Sequence, residues 1–169
     1  PILNKMFKID ENEIRDYLAS QGPETKIYIG CDSERINVKG VWHADYTIAI
    51  VCHINGKNGC KLFGEVVRER DFDQKNNKPN IRLMNEVFKV SEMYLKLADV
   101  LHDRHVEIHL DLNPKEEHNS NAVLQQAIGF IRGTCNIVPF VKPKAWAASY
   151  AADRYKEVAH DFNRQQKLK

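Results

Sequence analysis

The sequence predicts an α/β fold on a mixed five-stranded sheet, strand order 3-2-1-4-5, with helices on both faces. Three observations predict it. Three β-favouring runs follow one another within residues 26–72, with a Gly/Asn turn signal before the third. A long stretch of helical periodicity comes next, and after it short strands alternate with helices. A meander makes antiparallel neighbours, whereas strand–helix–strand passages cross over right-handed and make parallel ones, so the first and fourth strands lie side by side.

Each element has its own signal. Residues 10–21, DENEIRDYLASQ, set Ile14 and Leu18 at helical spacing before the Gly22-Pro23 breaker, a short lead-in helix. Residues 26–34, KIYIGCDSE, begin as a buried strand and end by presenting a carboxylate, Asp32, beside Ser33. The polar RINVKG gives way to VWHADYTIAIVCHI (41–54), rich in β-branched and aromatic residues; NGKNG (55–59) reads as a hairpin turn and CKLFGEVVRERDF (60–72) as its returning strand. Beyond the loop DQKNNKPN, residues 81–103 carry Ile81, Met84, Val87, Phe88, Met93, Leu95, Leu97 and Leu101 at mixed spacings of three and four, a long amphipathic helix. HVEIHLDLNP (105–114) is a short strand stopped by Pro114, residues 119–134 are a helix, NIVPFVKP (136–143) is the fifth strand, and residues 145–166 are a closing helix.

Composition bounds the function. A chain of 169 residues with 43% hydrophobic content suits one domain, residues 1–169, with its core over about 26–160. No apolar run approaches the roughly 18–20 residues of a membrane span, and the opening PILNKMFKIDENE lacks the apolar core of a signal peptide, so a soluble, cytoplasmic protein is expected. Cys31, Cys52, Cys60 and Cys135 form no CxxC pair and are expected to be reduced thiols; nor do the histidines show zinc-finger spacing with them. A net charge of +2 means that a nucleic-acid partner would be held by a local basic patch rather than by the whole surface.

Placed on this sheet, four acids converge: Asp32 at the end of the first strand, Glu86 near the start of the long helix, Asp111 near the end of the fourth strand and Asp153 on the closing helix. Carboxylates gathered in this way repel unless cations neutralise them, and hard oxygen ligands without a Cys or His cluster favour Mg²⁺ or Mn²⁺ over Zn²⁺. Two such ions can bind both the attacking and the leaving oxygen of an in-line phosphoryl displacement. Each acid has a plainer reading: a turn after a strand for Asp32 and Asp111, a solvated helix face for Glu86, where Glu92 is an alternative. Asp153 sits among Ala147, Ala148, Ala151 and Ala152, small residues that let a helix approach the sheet, with Glu157 one turn on as a substitute or added ligand.

The Asp, Glu, Asp, Asp order on this topology resembles the ribonuclease H-like nuclease superfamily. The segments YIGCDSE, RLMNEV, EIHLDLN and KPKAWAASYAADRY together look like its YkuK-type branch of predicted nucleases. The likeness covers Ile27 to Tyr155. It implies metal-dependent phosphodiester hydrolysis with Asp32, Glu86, Asp111 and Asp153 as catalytic metal ligands for two ions. Ser33 and Asn113 are candidates to hold water or phosphate nearby, and His118 is weighed as a proton shuttle against a solvated loop residue. Lys142 and Lys144, flanking Pro143, with Arg154 and the basic residues after it, are candidates to steer backbone phosphates of RNA, DNA, a hybrid or a junction. Trp42 and Trp146 are expected in the core rather than stacked on bases. The competing class is a non-catalytic ribonuclease H-like module that grips nucleic acid or a protein partner. The ATPases that share this fold resemble one another in a glycine-rich hairpin after the first acid; SERINVKG lacks that pattern.

Overall fold

The computed structural model describes residues 5–54, 59–73, 80–112 and 120–147. Strand β1 (Lys5–Phe7) precedes helix α1 (Glu11–Ala19), then come β2 (Lys26–Val38), β3 (Val41–His53) and β4 (Cys60–Arg70). Helices α2 (Asn80–Lys96) and α3 (Ala98–Leu101) lead to β5 (Val106–Leu110) and α4 (Ser120–Cys135). The sheet runs β1-β4-β3-β2-β5. β2, β3 and β4 are an antiparallel meander and β5 lies parallel to β2, so the expected 3-2-1-4 arrangement of the core strands is what forms.

Both edges differ from expectation. The expected fifth strand contracts to a single parallel bridge, His109 to Phe140. The backbone there is extended: Phe140 N donates to Ile108 O at 2.8 Å, Leu110 N to Phe140 O at 2.9 Å and Lys142 N to Leu112 O at 3.0 Å. Pro139 and Pro143 have no N–H to give, which suits an edge but cannot lengthen the ladder. On the opposite edge β1 pairs antiparallel with β4, a three-residue strand too short to show periodicity.

The lead-in helix is α1, capped by Asp10, whose carboxylate accepts from the backbone of Asn12 and Glu13. The long helix is broken: α2 ends at Lys96, and α3 begins after Leu97, which is fully buried. Ile14 and Leu18 of α1, Met84, Val87, Val90 and Met93 of α2, and Leu124, Ala127 and Ile131 of α4 cover one sheet face. They meet Ile27, Ile29 and Cys31 of β2 and Ile48 and Ile50 of β3 there, the alternate residues that a pleated strand turns to one side. On the other face Ala49 and Val51 pack with Ala147, Tyr28 and Leu62. The closing helix beyond Ala147 lies outside the described residues.

The largest correction concerns Asp32. The strand does not stop there but continues to Val38, pairing with β3 through Val38 and Val41. Lys39 (φ 51°) and Gly40 (φ 84°) close this hairpin, both with the positive φ that a tight two-residue turn matching strand twist requires. Asn37 Oδ1 accepts from Gly40 N at 2.9 Å. The polar side chains of Ser33, Glu34, Arg35 and Asn37 hid the continuation because antiparallel arms are joined by backbone bonds whatever their side chains.

The four cysteines are free. Burial pushes the Cys52 thiol up to about 12, so it is protonated and inert at neutral pH. No described helix is long and apolar enough to cross a membrane.

Candidate metal centre

Register explains why two of the acids meet. The parallel ladder between β2 and β5 ends at Cys31 opposite Leu110, so Asp32 and Asp111 are the next residues on adjacent strands. Neighbouring strands lie about 4.8 Å apart. Asp32 remains within the β2–β3 ladder, opposite Thr47, whereas Asp111 has just left its strand. Helix α2, seated on β2 by its apolar stripe, brings the third acid, Glu86, which is only 5% exposed.

Carboxylate oxygens of Asp32, Glu86 and Asp111 all lie within 4.8 Å of one another. Among the described residues, these three offer the grouping of ligand atoms close enough to share a cation. Around an octahedral ion with ligands at about 2.1 Å, oxygens stand about 3 Å apart when adjacent and about 4.2 Å apart when opposite. Three oxygens within 4.8 Å of one another can close on Mg²⁺ or Mn²⁺ when at least two of their separations come to about 3 Å. An all-carboxylate donor set is the right chemistry for such hard ions.

The immediate surroundings support the same fit. Asp32 Oδ1 accepts the backbone N–H of Ser33 at 2.8 Å, which fixes the carboxylate's orientation. Asp111 Oδ1 is buried and accepts no hydrogen bond among the described residues. Nζ of Lys142 stands 2.5 Å from that oxygen, an ion pair without the alignment of a directed bond. The Lys142 ammonium thus already stands where a metal cation would, and a metal ion would displace it or share the oxygen with it. Glu92, the alternative on α2, is instead a largely exposed partner of Lys96 at 3.0 Å.

Other sequence candidates separate clearly. Lys142 belongs to the acid cluster through Asp111, while Lys144 is exposed on the turn that follows. Asp153, Arg154, Asn113, His118 and Glu157 lie outside the described residues. Both tryptophans contradict the core expectation, Trp42 being 42% exposed and Trp146 41%. Trp146 lies against Tyr28, ring centroids 4.7 Å apart, and edge-on to His109.

His109 was not singled out by its sequence context, yet it is fully buried two residues before Asp111. Its Nδ1 accepts from the backbone N–H of Trp146 and of Ala147, both at 3.1 Å. Nε2 is therefore the protonated nitrogen, and it donates to Glu107 Oε1 at 3.0 Å. His105 Nε2 lies 2.7 Å from the other oxygen of Glu107. Burial alone would raise the Glu107 carboxyl, but the bonds from His105 and His109 outweigh it and hold the group below its ordinary value. The alternation in HVEIH was the available signal: residues 105, 107 and 109 share one strand face. This array ties the segment leading into Ala147 to the strand that delivers Asp111.

A family model described as ribonuclease H-like matches residues 11–157. The chain belongs to the ribonuclease H-like family. No curated protein and no solved structure matches it. Membership fits the mixed sheet with its helices and suggests a nuclease, and the acidic cluster is one that could hold a metal ion.

Proposed function

We propose that this chain, a member of the YkuK-type branch, is a divalent-metal-dependent nuclease that hydrolyses nucleic-acid phosphodiester bonds with two Mg²⁺ or Mn²⁺ ions. The observation that carries the reading is the meeting of Asp32, Glu86 and Asp111, from three separate elements, within 4.8 Å. Asp32, Glu86 and Asp111 would hold the ions, with Asp153 as the fourth acid. When bound, such ions supply Lewis-acid stabilisation to the charge on the attacking and leaving oxygens. The chain's own part is positional. The β2–β3 ladder and the Ser33 amide hold Asp32 still, α2 buries Glu86 away from bulk water, and Asp111 stands beside Asp32 by register. Rigid placement of this kind is what an in-line displacement demands.

Lys142 gives the second reading its one support. A lysine already neutralising Asp111 is what a metal-free binding module would use. The two separate in one assay. Labelled RNA, DNA, hybrid and four-way-junction substrates are incubated with Mg²⁺, Mn²⁺, Ca²⁺ or EDTA. A nuclease cuts at least one of them in Mg²⁺ or Mn²⁺, leaving 3′-hydroxyl and 5′-phosphate ends, with little turnover in Ca²⁺. Full activity in EDTA would exclude the metal mechanism, and binding without cutting under every condition would favour the module.

A further inference from the structure

A second feature lies at the tip of the β2–β3 hairpin. A cavity of about 630 Å³ opens there between Arg35, Trp42 and the segment from the last residue of β4, Arg70, to Asp73. Its size is that of a small-ligand site. Trp42 is 42% exposed and Phe72 62% exposed, so two large rings face solvent in one concavity. Each ring has a guanidinium over it: Arg35 at 4.3 Å from the Trp42 centroid and Arg70 at 5.4 Å from that of Phe72.

The acids of the cavity are turned to internal work. Asp71 accepts from Arg35 Nε at 2.5 Å and from the backbone N–H of Asp73 at 3.0 Å. Asp73 accepts the N–H groups of Ile81 and Arg82, at 3.0 and 2.9 Å, in the first turn of α2. All four carboxylate oxygens are thereby engaged. Arg70 is exposed and has no acid within ion-pair distance among the described residues. The lining thus offers two exposed rings and, in Arg70, a cation seated over Phe72 but paired with no acid among the described residues, which cannot lose its charge.

We infer that this cavity is a subsite for an unpaired nucleobase, with Trp42 and Phe72 as stacking faces and Arg70 on the adjoining phosphate. The inference rests on the nuclease reading for its direction along the chain, and it deepens it by naming substrate with a single-stranded stretch. Stacking on aromatic and guanidinium planes is how proteins hold single strands without reading sequence, because every base has a π-face. A base inside a duplex hides that face. Register places the cavity relative to the acids. Trp42 lies opposite Asn37, five residues beyond Asp32 on β2, about 17 Å at a strand's rise. That is the length of about five stacked nucleotides of one strand, at about 3.4 Å each.

The chain has two tryptophans, so Trp146→Phe leaves Trp42 as the sole indole and a reporter of its own cavity. The probes are a 12-nucleotide single strand of DNA or RNA and a blunt duplex of the same sequence, in EDTA so that nothing is cut. The single strand should quench Trp42 fluorescence and the duplex should not. By anisotropy, Trp42→Ala and Phe72→Ala should each weaken single-strand binding about tenfold, with duplex binding unchanged and Trp42→Phe restoring most of the loss. Phe72 is exposed enough that its loss should leave folding intact, which keeps the test usable if Trp42→Ala is unstable. Saturating single strand without quenching, or Phe72→Ala binding as the parent does, would overturn the subsite, and a protein partner would then be the better occupant. Neither result bears on metal-dependent cleavage. Conversely, quenching by a protein that cuts nothing in Mn²⁺ would retain the subsite and remove the nuclease.

Discussion

Replacing Asp32 with asparagine separates a metal ligand from a structural carboxylate, because the two predict opposite signs. At 4.8 Å, two like unit charges repel by about 0.9 kcal/mol in a water-like dielectric and by about 3.5 kcal/mol at an effective constant of about 20. Three acids make three such pairs, and Asp32 takes part in two. Its neutralisation therefore removes at least about 2 kcal/mol of repulsion from the metal-free protein at the water-like limit. Lys142 beside Asp111 offsets part of this, and the asparagine oxygen still accepts from Ser33 N. The net gain expected is about 1–2 kcal/mol, a rise in Tm of about 2–8 °C for a chain of this size. Excess Mg²⁺ should reverse the order, since at 100 times Kd a bound ligand adds about 2.7 kcal/mol and the variant has lost an anionic ligand. Thermal melts of both proteins in EDTA and in Mg²⁺ read the result. Equal metal-induced shifts, or a metal-free variant melting below the parent, would refute the reasoning.

Three further outcomes are expected. Lys142→Met removes the cation that already sits on Asp111, so Mn²⁺ should bind about fivefold tighter by calorimetry, while Lys144→Ala leaves metal affinity unchanged; unaltered affinity in Lys142→Met would show that the lysine does not compete. Glu107, whose carboxyl is held below its ordinary 4.5, contributes stability that is fully present above about pH 4.5 and is lost as pH falls through the lower folded value. Glu107→Gln should accordingly flatten the acid limb of Tm against pH, and an identical limb would contradict that sign. His109→Ala strands two backbone donors and the inner oxygen of Glu107, and chemical denaturation should show a loss of about 2–4 kcal/mol; a change under about 0.5 kcal/mol would mean that water replaces the ring.

Much of the sheet was legible because its signals are local. Alternation in residues 41–54 and 60–72 and the glycines between them specify an antiparallel pair, and the helix between β4 and β5 forces a crossover. Asp32 and Asp111 were legible for a related reason, since each follows the apolar alternation of its strand, whereas Glu86 lies inside the apolar stripe of α2 and had Glu92 as an alternative. What escaped depends on neighbours distant in sequence. β1 exists because β4 offers it an edge, and β2 runs past Asp32 because β3 pairs with it. Trp42 was expected inside because residue type alone carries no information about which ring lies beyond the sheet's covered area. The ion pair between Lys142 and Asp111 joins residues 31 apart in number, brought together by the bridge at Phe140 and the backbone bond from Lys142 N to Leu112 O.

The position of Asp32 well inside a continuous hairpin has a consequence for how this chain tolerates insertions and deletions. Residues 33–38 and 41–46 form a paired extension beyond the acid, with no parallel neighbour on the β5 side among the described residues. Adding or removing residues in matched pairs at Lys39 and Gly40 would lengthen or shorten that extension while leaving Asp32 opposite Thr47. A single-residue change between Lys26 and Asp32 would instead turn the carboxylate to the opposite sheet face, because side chains alternate with a period of two. Length variation among related chains should therefore gather at the hairpin tip, reshaping the cavity at Trp42 without displacing the acids.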